Sequence, residues 1–255
     1  MRNFEFDGIA LDGFSPKDAW AKIIEKYDRA PESGYSVSLV NANTFYEIKH
    51  NPAYRNALIA MNLRLIDSTP LAFIMRNLPS GSELIAKCPG PELFALALHS
   101  DQRHVPHYLV GATEDVLRRL RVKFEKAGLQ VQTFSPAFTS DISELERQVN
   151  SFLDGKPRGI VWVGLGGMKQ DFVSQRIGAT TTHVCIGVGA AFDFEAGTLR
   201  RAPKFYRNLG LEWVFRLSQE PRRLWKRYLF GNSNLLKLAL AELLARTVAR
   251  FGKPN

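Results

Sequence analysis

The sequence contains little cysteine and little histidine. Its two cysteines, Cys88 and Cys185, fit neither a disulfide framework nor the paired spacing of a zinc site. The five histidines form no cluster, and His183, at the start of an apolar run, is predicted to be structural. These shortages argue against a disulfide-rich secreted domain and against a zinc protein, and they favour a reducing, cytoplasmic environment.

Long apolar runs are absent as well. No run approaches the roughly 20 residues that a membrane-spanning helix needs. The first residues, MRNFEFD, are polar and acidic, unlike a signal peptide. We therefore expect neither a signal peptide nor an integral membrane protein.

Three well-known chemical motifs are also missing. The turn at 164–166 has Lys169 where a Gly-x-Gly-x-x-Gly dinucleotide motif has its third glycine, and the turn at 187–189 has Phe192 there. Neither a P-loop nor a Gly-x-Ser-x-Gly nucleophile elbow occurs. These absences argue against a dinucleotide enzyme, a P-loop NTPase and a serine hydrolase.

The chain does have enough apolar residues for a sizeable core, and its charge is strongly uneven. Hydrophobic residues make up 45% of the 255 residues, which suits one large domain or a domain with an appendage. The net charge is +9: residues 200–227 carry +7, residues 228–255 carry +3, and residues 1–199 carry −1. We therefore predict a core at 1–199 and a basic, aromatic-rich helical appendage at 200–255, with an anionic partner for the appendage.

Apolar runs alternate with amphipathic segments along the core. Such alternation predicts βα units, and hence an α/β fold with a mainly parallel sheet and helices on both faces. One helix is predicted to follow residues 41–44 and continue to about Ile59, and a leucine-rich helix is predicted from Asn232 to about Phe251. The predicted strands lie at 35–40, 63–67, 107–111, 129–134, 159–163 and 183–189.

Ligands of such sheets bind at the carboxyl ends of the strands. The turn with Gly164 and Gly166 falls there, and tight backbone geometry alone accounts for it about as well as phosphate binding does. Lys169 and Gln170 favour the ligand-binding interpretation. They lie at the start of a predicted helix, whose free backbone N–H groups suit a diphosphate.

Three polar side chains fall at the same edge. Asp67 follows a strand and is a candidate base for a hydroxyl proton, although capping of the helix from Ser68 onward is the simpler interpretation. Asn41 and Asn43 are candidates for binding sugar hydroxyls, and helix capping is again simpler. The acidic pair at 193–195 has the form of a divalent-metal site, but its apolar neighbours favour a structural turn.

The basic appendage allows three interpretations. The first is a solvated surface. The second is a nucleic-acid-binding surface that contacts the phosphates and stacks aromatic side chains on the bases. The third is a surface that lies on an anionic membrane. Tryptophan, tyrosine and leucine mixed with arginine and lysine fit the membrane best.

Taken together, these residues resemble the WecG/TagA/CpsF family, glycosyltransferase family 26. The resemblance covers roughly residues 35–235 and is most specific in the last third of the chain. It rests on nine segments: VNAN (40–43), LIDS (65–68), GPEL (90–93), YLVG (108–111), VGLGGMKQ (163–170), GVGAAFDF (187–194), RAP (201–203), LGLEW (209–213) and QEPRR (219–223).

The resemblance implies an inverting, metal-independent enzyme without a cofactor. Members of this family move N-acetylmannosamine, its uronic acid or glucose from a UDP-sugar to a polyprenyl-diphosphate-linked sugar. They work at the inner face of the bacterial membrane, in synthesis of the cell envelope or of exopolysaccharide. Their core is Rossmann-like, and a C-terminal appendage closes the site at the membrane. By resemblance, this protein is cytoplasmic and peripheral on an anionic membrane.

The resemblance also assigns roles to residues. Asp67 matches the base that deprotonates the acceptor hydroxyl, and Asn43 matches a substrate-binding asparagine. Asn41 stands where TagA-like members have threonine, which leaves its contact open. Gln170, with the turn of Gly164, Gly166 and Lys169, matches the donor site. Arg216 and Arg223 match arginines that neutralise the leaving diphosphate, and the third such position falls on Lys226 or Arg227.

Two other functions remain as alternatives. A nucleic-acid-binding protein explains the basic charge but not the glycine turns, so nucleic acid is not the expected partner. A soluble sugar-nucleotide enzyme, such as an epimerase, usually needs a dinucleotide, whose motif is missing. The sequence does not fix the oligomeric state, and a homo-oligomer remains open.

Overall fold

The computed structural model describes residues 3–78 and 85–251, so residues 252–255 of the predicted appendage lie outside the described residues. Eight of the described segments are strands: β1 (Asn3–Phe6), β2 (Ile9–Asp12), β3 (Tyr35–Val40), β4 (Leu63–Ile66), β5 (His107–Gly111), β6 (Val131–Phe134), β7 (Ile160–Gly164) and β8 (Val184–Gly187). They form one sheet in the order β1-β2-β4-β3-β8-β7-β5-β6. β1 pairs antiparallel with β2, and all the other neighbours are parallel. The prediction of a mainly parallel, Rossmann-like α/β fold is confirmed.

Twelve helices accompany the sheet in the part of the chain that the structure describes. They are α1 (Pro16–Arg29), α2 (Ala42–His50), α3 (Pro52–Ala60), α4 (Thr69–Asn77), α5 (Gly90–Leu98), α6 (Glu114–Lys126), α7 (Ile142–Leu153), α8 (Gly167–Thr180), α9 (Ala191–Ala196), α10 (Lys204–Asn208), α11 (Glu212–Gln219) and α12 (Pro221–Phe251).

The helices cover both faces of the sheet. Successive strand residues point to opposite faces, and in β7 Trp162 packs with α1, α5, α6 and α9. Its neighbours Val161 and Val163 pack on the other face with α7 and α8. On that same face the ends of β3 and β4 pack with α2, α3, α4 and Leu235 of α12. Both faces are therefore buried, as expected for a parallel sheet.

Two predicted helix boundaries are wrong. The segment that continues to Ile59 is two helices, because Asn51 ends α2 and its side-chain oxygen then accepts from the N–H of Tyr54, with Pro52 in the first turn of α3. The C-terminal helix begins at Pro221, where proline is tolerated in the first turn, and it runs through Asn232 without interruption.

The long helix α12 lies directly on α2. A side chain at Gly231 would come within 3.1 Å of the backbone N and Cα of Asn43, so glycine permits this close crossing. Phe230 stacks on Tyr46 with ring centroids 5.6 Å apart, and Leu235 is fully buried beneath the helix. The appendage boundary at 199/200 stays a prediction, and the helix inside that appendage completes the core next to the ends of β3 and β4.

Among the described residues, no helix is both long and apolar enough to cross a membrane.

Candidate active site

A pocket opens where β3 and β4 end and the C-terminal helices cross them. Its cavity volume is about 150 Å³. The core supplies polar residues from the ends of both strands, and α11 and α12 supply the opposite wall. The residues on which the argument depends are Asn41, Asn43, Asp67, Lys87, Glu212, Trp213, Arg216, Arg227 and Tyr228. The pocket therefore lies at the carboxyl edge of the sheet, where ligands of such folds bind.

Asp67 is held by the N-terminus of α5. Its Oδ1 accepts a hydrogen bond from the backbone N–H of Gly90, at 3.1 Å. Capping of α4 by Asp67 is wrong: Ser68 occupies the cap position of α4 and makes no side-chain cap bond there. The carboxylate is thus fixed by a helix that begins 23 residues later in the chain.

The pKa of Asp67 is raised to about 6, chiefly by burial. The N–H of Gly90 opposes this rise, the Glu212 carboxylate adds to it, and Arg227 and the Asn41 side chain lower the pKa again. A carboxylate with such a pKa is mostly ionised at neutral pH and is more basic than an ordinary aspartate. Those are the properties of a general base.

The two asparagines act differently from each other. Asn41 caps α2, since its Oδ1 accepts from the N–H of Asn43 at 3.0 Å, and its side chain also lowers the pKa of Asp67. The Nδ2 of Asn43 donates to Glu47 at 3.3 Å. The predicted capping role of Asn41 is confirmed, and both residues line the pocket.

The structure separates the three predicted arginines. Arg216 and Arg227 line the pocket, and the guanidinium of Arg216 lies 5.1 Å from the centroid of the Phe194 ring. The buried Nε of Arg216 has no hydrogen-bond partner among the described residues, and its Nη2 pairs with Glu220 at 3.2 Å. Arg223 does not line the pocket; its exposed side chain pairs with Glu220 at 2.6 Å.

The glycine-rich turn lies outside this pocket. Gly164 is required by packing, because a Cβ there would come within 2.6 Å of the Phe192 ring. Gly166, by contrast, has open space around it and a φ of 73°, which favours glycine, and it precedes the free N–H groups of α8. Packing therefore explains Gly164 and backbone conformation explains Gly166, and ligand binding by the turn stays a prediction.

Lys169 and Gln170 follow the turn but point in different directions. The Nζ of Lys169 donates to the carbonyl of Thr139 at 2.7 Å and lies beside the exposed ring of Phe138. Gln170 is buried, and its Oε1 has no hydrogen-bond partner in the part of the chain that the structure describes. A buried acceptor without a partner requires an explanation, and a donor group on a ligand is one. Binding by both residues stays a prediction.

The sequence analysis did not identify several residues of the pocket as candidates for the site. Lys87 lies in a segment without secondary structure, and its Nζ donates to Thr69 at 2.9 Å. Glu212, Trp213 and Tyr228 belong to the basic appendage. Its composition predicts an anionic partner, but composition does not show which side chains face the pocket. Of these residues only Tyr228 belongs to α12, and the prediction that this helix starts at Asn232 left Tyr228 outside it.

The acidic pair at 193–195 is engaged in local structure. Asp193 Oδ1 accepts from Thr198 at 3.2 Å, and Glu195 pairs with Lys123 at 2.6 Å. No group of three or more histidine, cysteine, aspartate or glutamate side chains that could hold a metal occurs in residues 3–78 and 85–251. Both residues belong to α9, so the predicted turn is a helix, and their side chains make structural contacts.

Comparison with known proteins identifies the family. The sequence model of the "Glycosyl transferase WecG/TagA/CpsF family" matches residues 4–249. The N-acetylglucosaminyldiphosphoundecaprenol N-acetyl-beta-D-mannosaminyltransferase of Bacillus spizizenii strain W23 is 27% identical over 200 residues, which is 77% of this chain and 75% of that protein. The match covers nearly the whole chain, and the Rossmann-like fold and the pocket around Asp67 agree with it. The chain therefore belongs to the WecG/TagA/CpsF family and is a glycosyltransferase.

Proposed function

We propose that this enzyme transfers a sugar from a UDP-sugar to a hydroxyl group of a polyprenyl-diphosphate-linked sugar. One observation carries the proposal: Asp67, with its raised pKa, shares a pocket with Arg216 and Arg227. A base beside two cations suits a reaction that removes a proton at one end and releases an anion at the other. The name of the Bacillus relative supports an acceptor of this class.

In the proposed reaction, Asp67 takes the proton of the acceptor hydroxyl. The hydroxyl oxygen then attacks the anomeric carbon of the donor sugar, and the bond from that carbon to the diphosphate oxygen breaks. UDP leaves with both electrons of that bond. One direct displacement inverts the configuration at the anomeric carbon.

The negative charge of the departing UDP needs positive partners. Arg216 and Arg227 in the pocket supply two guanidinium groups. The open N-terminus of α8, after Gly166, supplies backbone N–H groups for a diphosphate. We propose that these groups suffice without a divalent metal, and that Asn43, Lys169 and Gln170 help to hold the substrates.

The location of the reaction is proposed from the surface of the C-terminal helices. Residues 200–255 carry a net charge of +10. Trp225, Leu229 and Phe205 of this segment are 46%, 57% and 68% exposed. Basic residues with exposed aromatic and leucine side chains suit an anionic membrane surface. We propose a cytoplasmic, peripheral enzyme at the inner face of the membrane, where a lipid-linked acceptor lies.

The proposal is tested by a screen of UDP-sugars. UDP-N-acetylmannosamine, its uronic acid and UDP-glucose are each incubated with a short-chain polyprenyl-diphosphate-linked N-acetylglucosamine, with and without EDTA. We expect acceptor-dependent release of UDP with one of these donors, at the same rate in EDTA. Loss of turnover in EDTA, restored by Mg²⁺, would show that a metal is needed. UDP release that does not depend on the acceptor would contradict the proposed transfer.

A further inference from the structure

Two aromatic side chains form one wall of the pocket. Trp213 belongs to α11 and Tyr228 to α12, and their ring centroids are 5.7 Å apart with an angle of 53° between the planes. Both residues are half-buried and line the pocket. The other three tryptophans lie elsewhere: Trp20 and Trp162 stack on each other in the core, and Trp225 is exposed.

The groups around this aromatic wall define a ligand chemistry. Asp67 and Glu212 offer carboxylate oxygens, which accept hydrogen bonds from hydroxyl groups. Arg216 and Arg227 offer guanidinium groups, which pair with phosphate. A flat aromatic ring such as that of Trp213 packs well against the apolar C–H face of a pyranose ring. Together, these groups suit a sugar that is linked to a phosphate.

Both the UDP-sugar and the lipid-linked acceptor contain a sugar that is linked to a phosphate. The side chains next to the pocket must therefore show which of the two binds at the aromatic wall. The wall is built by α11 and α12, and Tyr228 faces the pocket while Trp225 and Leu229 on the same helix are exposed. An apolar chain that leaves the pocket along α12 would meet these exposed side chains. Only the acceptor carries an apolar chain, whereas the donor carries a polar nucleoside.

We propose that Trp213 and Tyr228 form the subsite that holds the pyranose ring of the lipid-linked acceptor and presents its hydroxyl to Asp67. This inference rests on the proposed function and adds to it the place where the acceptor sugar binds.

Steady-state kinetics of Trp213→Leu provide the first test. Leucine keeps apolar bulk but removes the flat face, so we expect the KM for the acceptor to rise about tenfold. The KM for the UDP-sugar should stay within about twofold of the wild-type value. Phe73→Leu, which replaces an aromatic residue that is 65% exposed on α4 outside the pocket, should leave both KM values unchanged.

Tryptophan fluorescence provides a test that does not require turnover. A short-chain polyprenyl-diphosphate-linked N-acetylglucosamine is titrated into the full-length protein without donor. The emission should change in Trp225→Phe, in which Trp213 is the tryptophan that faces the pocket, and this saturable change should disappear in the double variant Trp213→Phe/Trp225→Phe. UDP alone should not produce it.

The outcomes separate this inference from the proposed function. A raised donor KM with an unchanged acceptor KM in Trp213→Leu would place the donor sugar on the wall. The same conclusion would follow if the UDP-sugar, and not the acceptor, perturbed Trp213. Either result overturns the inference while transfer itself stands. Absence of transfer by the wild-type enzyme with every donor would instead overturn the proposed function.

Discussion

Replacing Asp67 with asparagine is expected to lower the rate of glycosyl transfer by a factor of about 10² to 10⁴, the usual contribution of a general base. The asparagine side chain cannot take the proton of the acceptor hydroxyl. Its oxygen still accepts the hydrogen bond that Gly90 donates, so α5 and the fold should be retained. UDP release with saturating donor and acceptor measures the loss.

Two controls accompany this variant. UDP binding, measured by calorimetry, should match that of the wild-type protein, because the change does not touch the donor side. Thermal unfolding should show no loss of stability, because burial already disfavours the charged form of Asp67. An Asp67→Asn variant with full activity would remove Asp67 from the role of base.

Replacing Arg227 with alanine is expected to lower kcat by about 10² to 10³, the range found when one charge-stabilising group is removed. Arg227 lines the pocket, and its charge also lowers the pKa of Asp67. The variant should therefore show a second effect: the pH at which the base becomes protonated moves upward. The rate and its pH dependence are both read from UDP release.

Arg223→Ala is the matched control, because Arg223 lies one helical turn earlier on α12. Its exposed side chain pairs with Glu220 outside the pocket, so we expect at most a few-fold loss. The family resemblance groups Arg223 with the arginines that neutralise UDP, whereas its position outside the pocket does not. Equal losses in Arg223→Ala and Arg227→Ala would favour a rearrangement of α12 when substrates bind.

The fold was largely predictable because its elements have local signals. The strands at 35–40 and 107–111 were predicted with the bounds that the structure shows, since buried parallel strands are short, continuous apolar runs. The break at Pro52 and the start at Pro221 were missed. In both cases a proline in the first turn of a helix was not recognised as a start signal.

The site was only half predictable. Asp67 and Asn41 could be found because they follow strands, and the ends of parallel strands share one edge. Glu212, Trp213 and Tyr228 could not, because their place depends on how α12 crosses α2 at Gly231 and Asn43. Residues so far apart in the chain are brought together by packing alone, which leaves no periodic signal in the sequence.

The pH dependence of kcat/KM tests the central claim, that Asp67 is the base, most directly. In a UDP-sugar and in a polyprenyl-diphosphate sugar, each phosphate has one ester link and one anhydride link. The phosphates of the substrates therefore do not titrate near neutral pH. Asp67 acts as a base only when ionised, and its pKa is about 6. We therefore predict that kcat/KM for the acceptor rises through about pH 6 and levels off above about pH 7. A value of kcat/KM that is independent of pH from roughly 5 to 8 would contradict the assignment of Asp67 as the base.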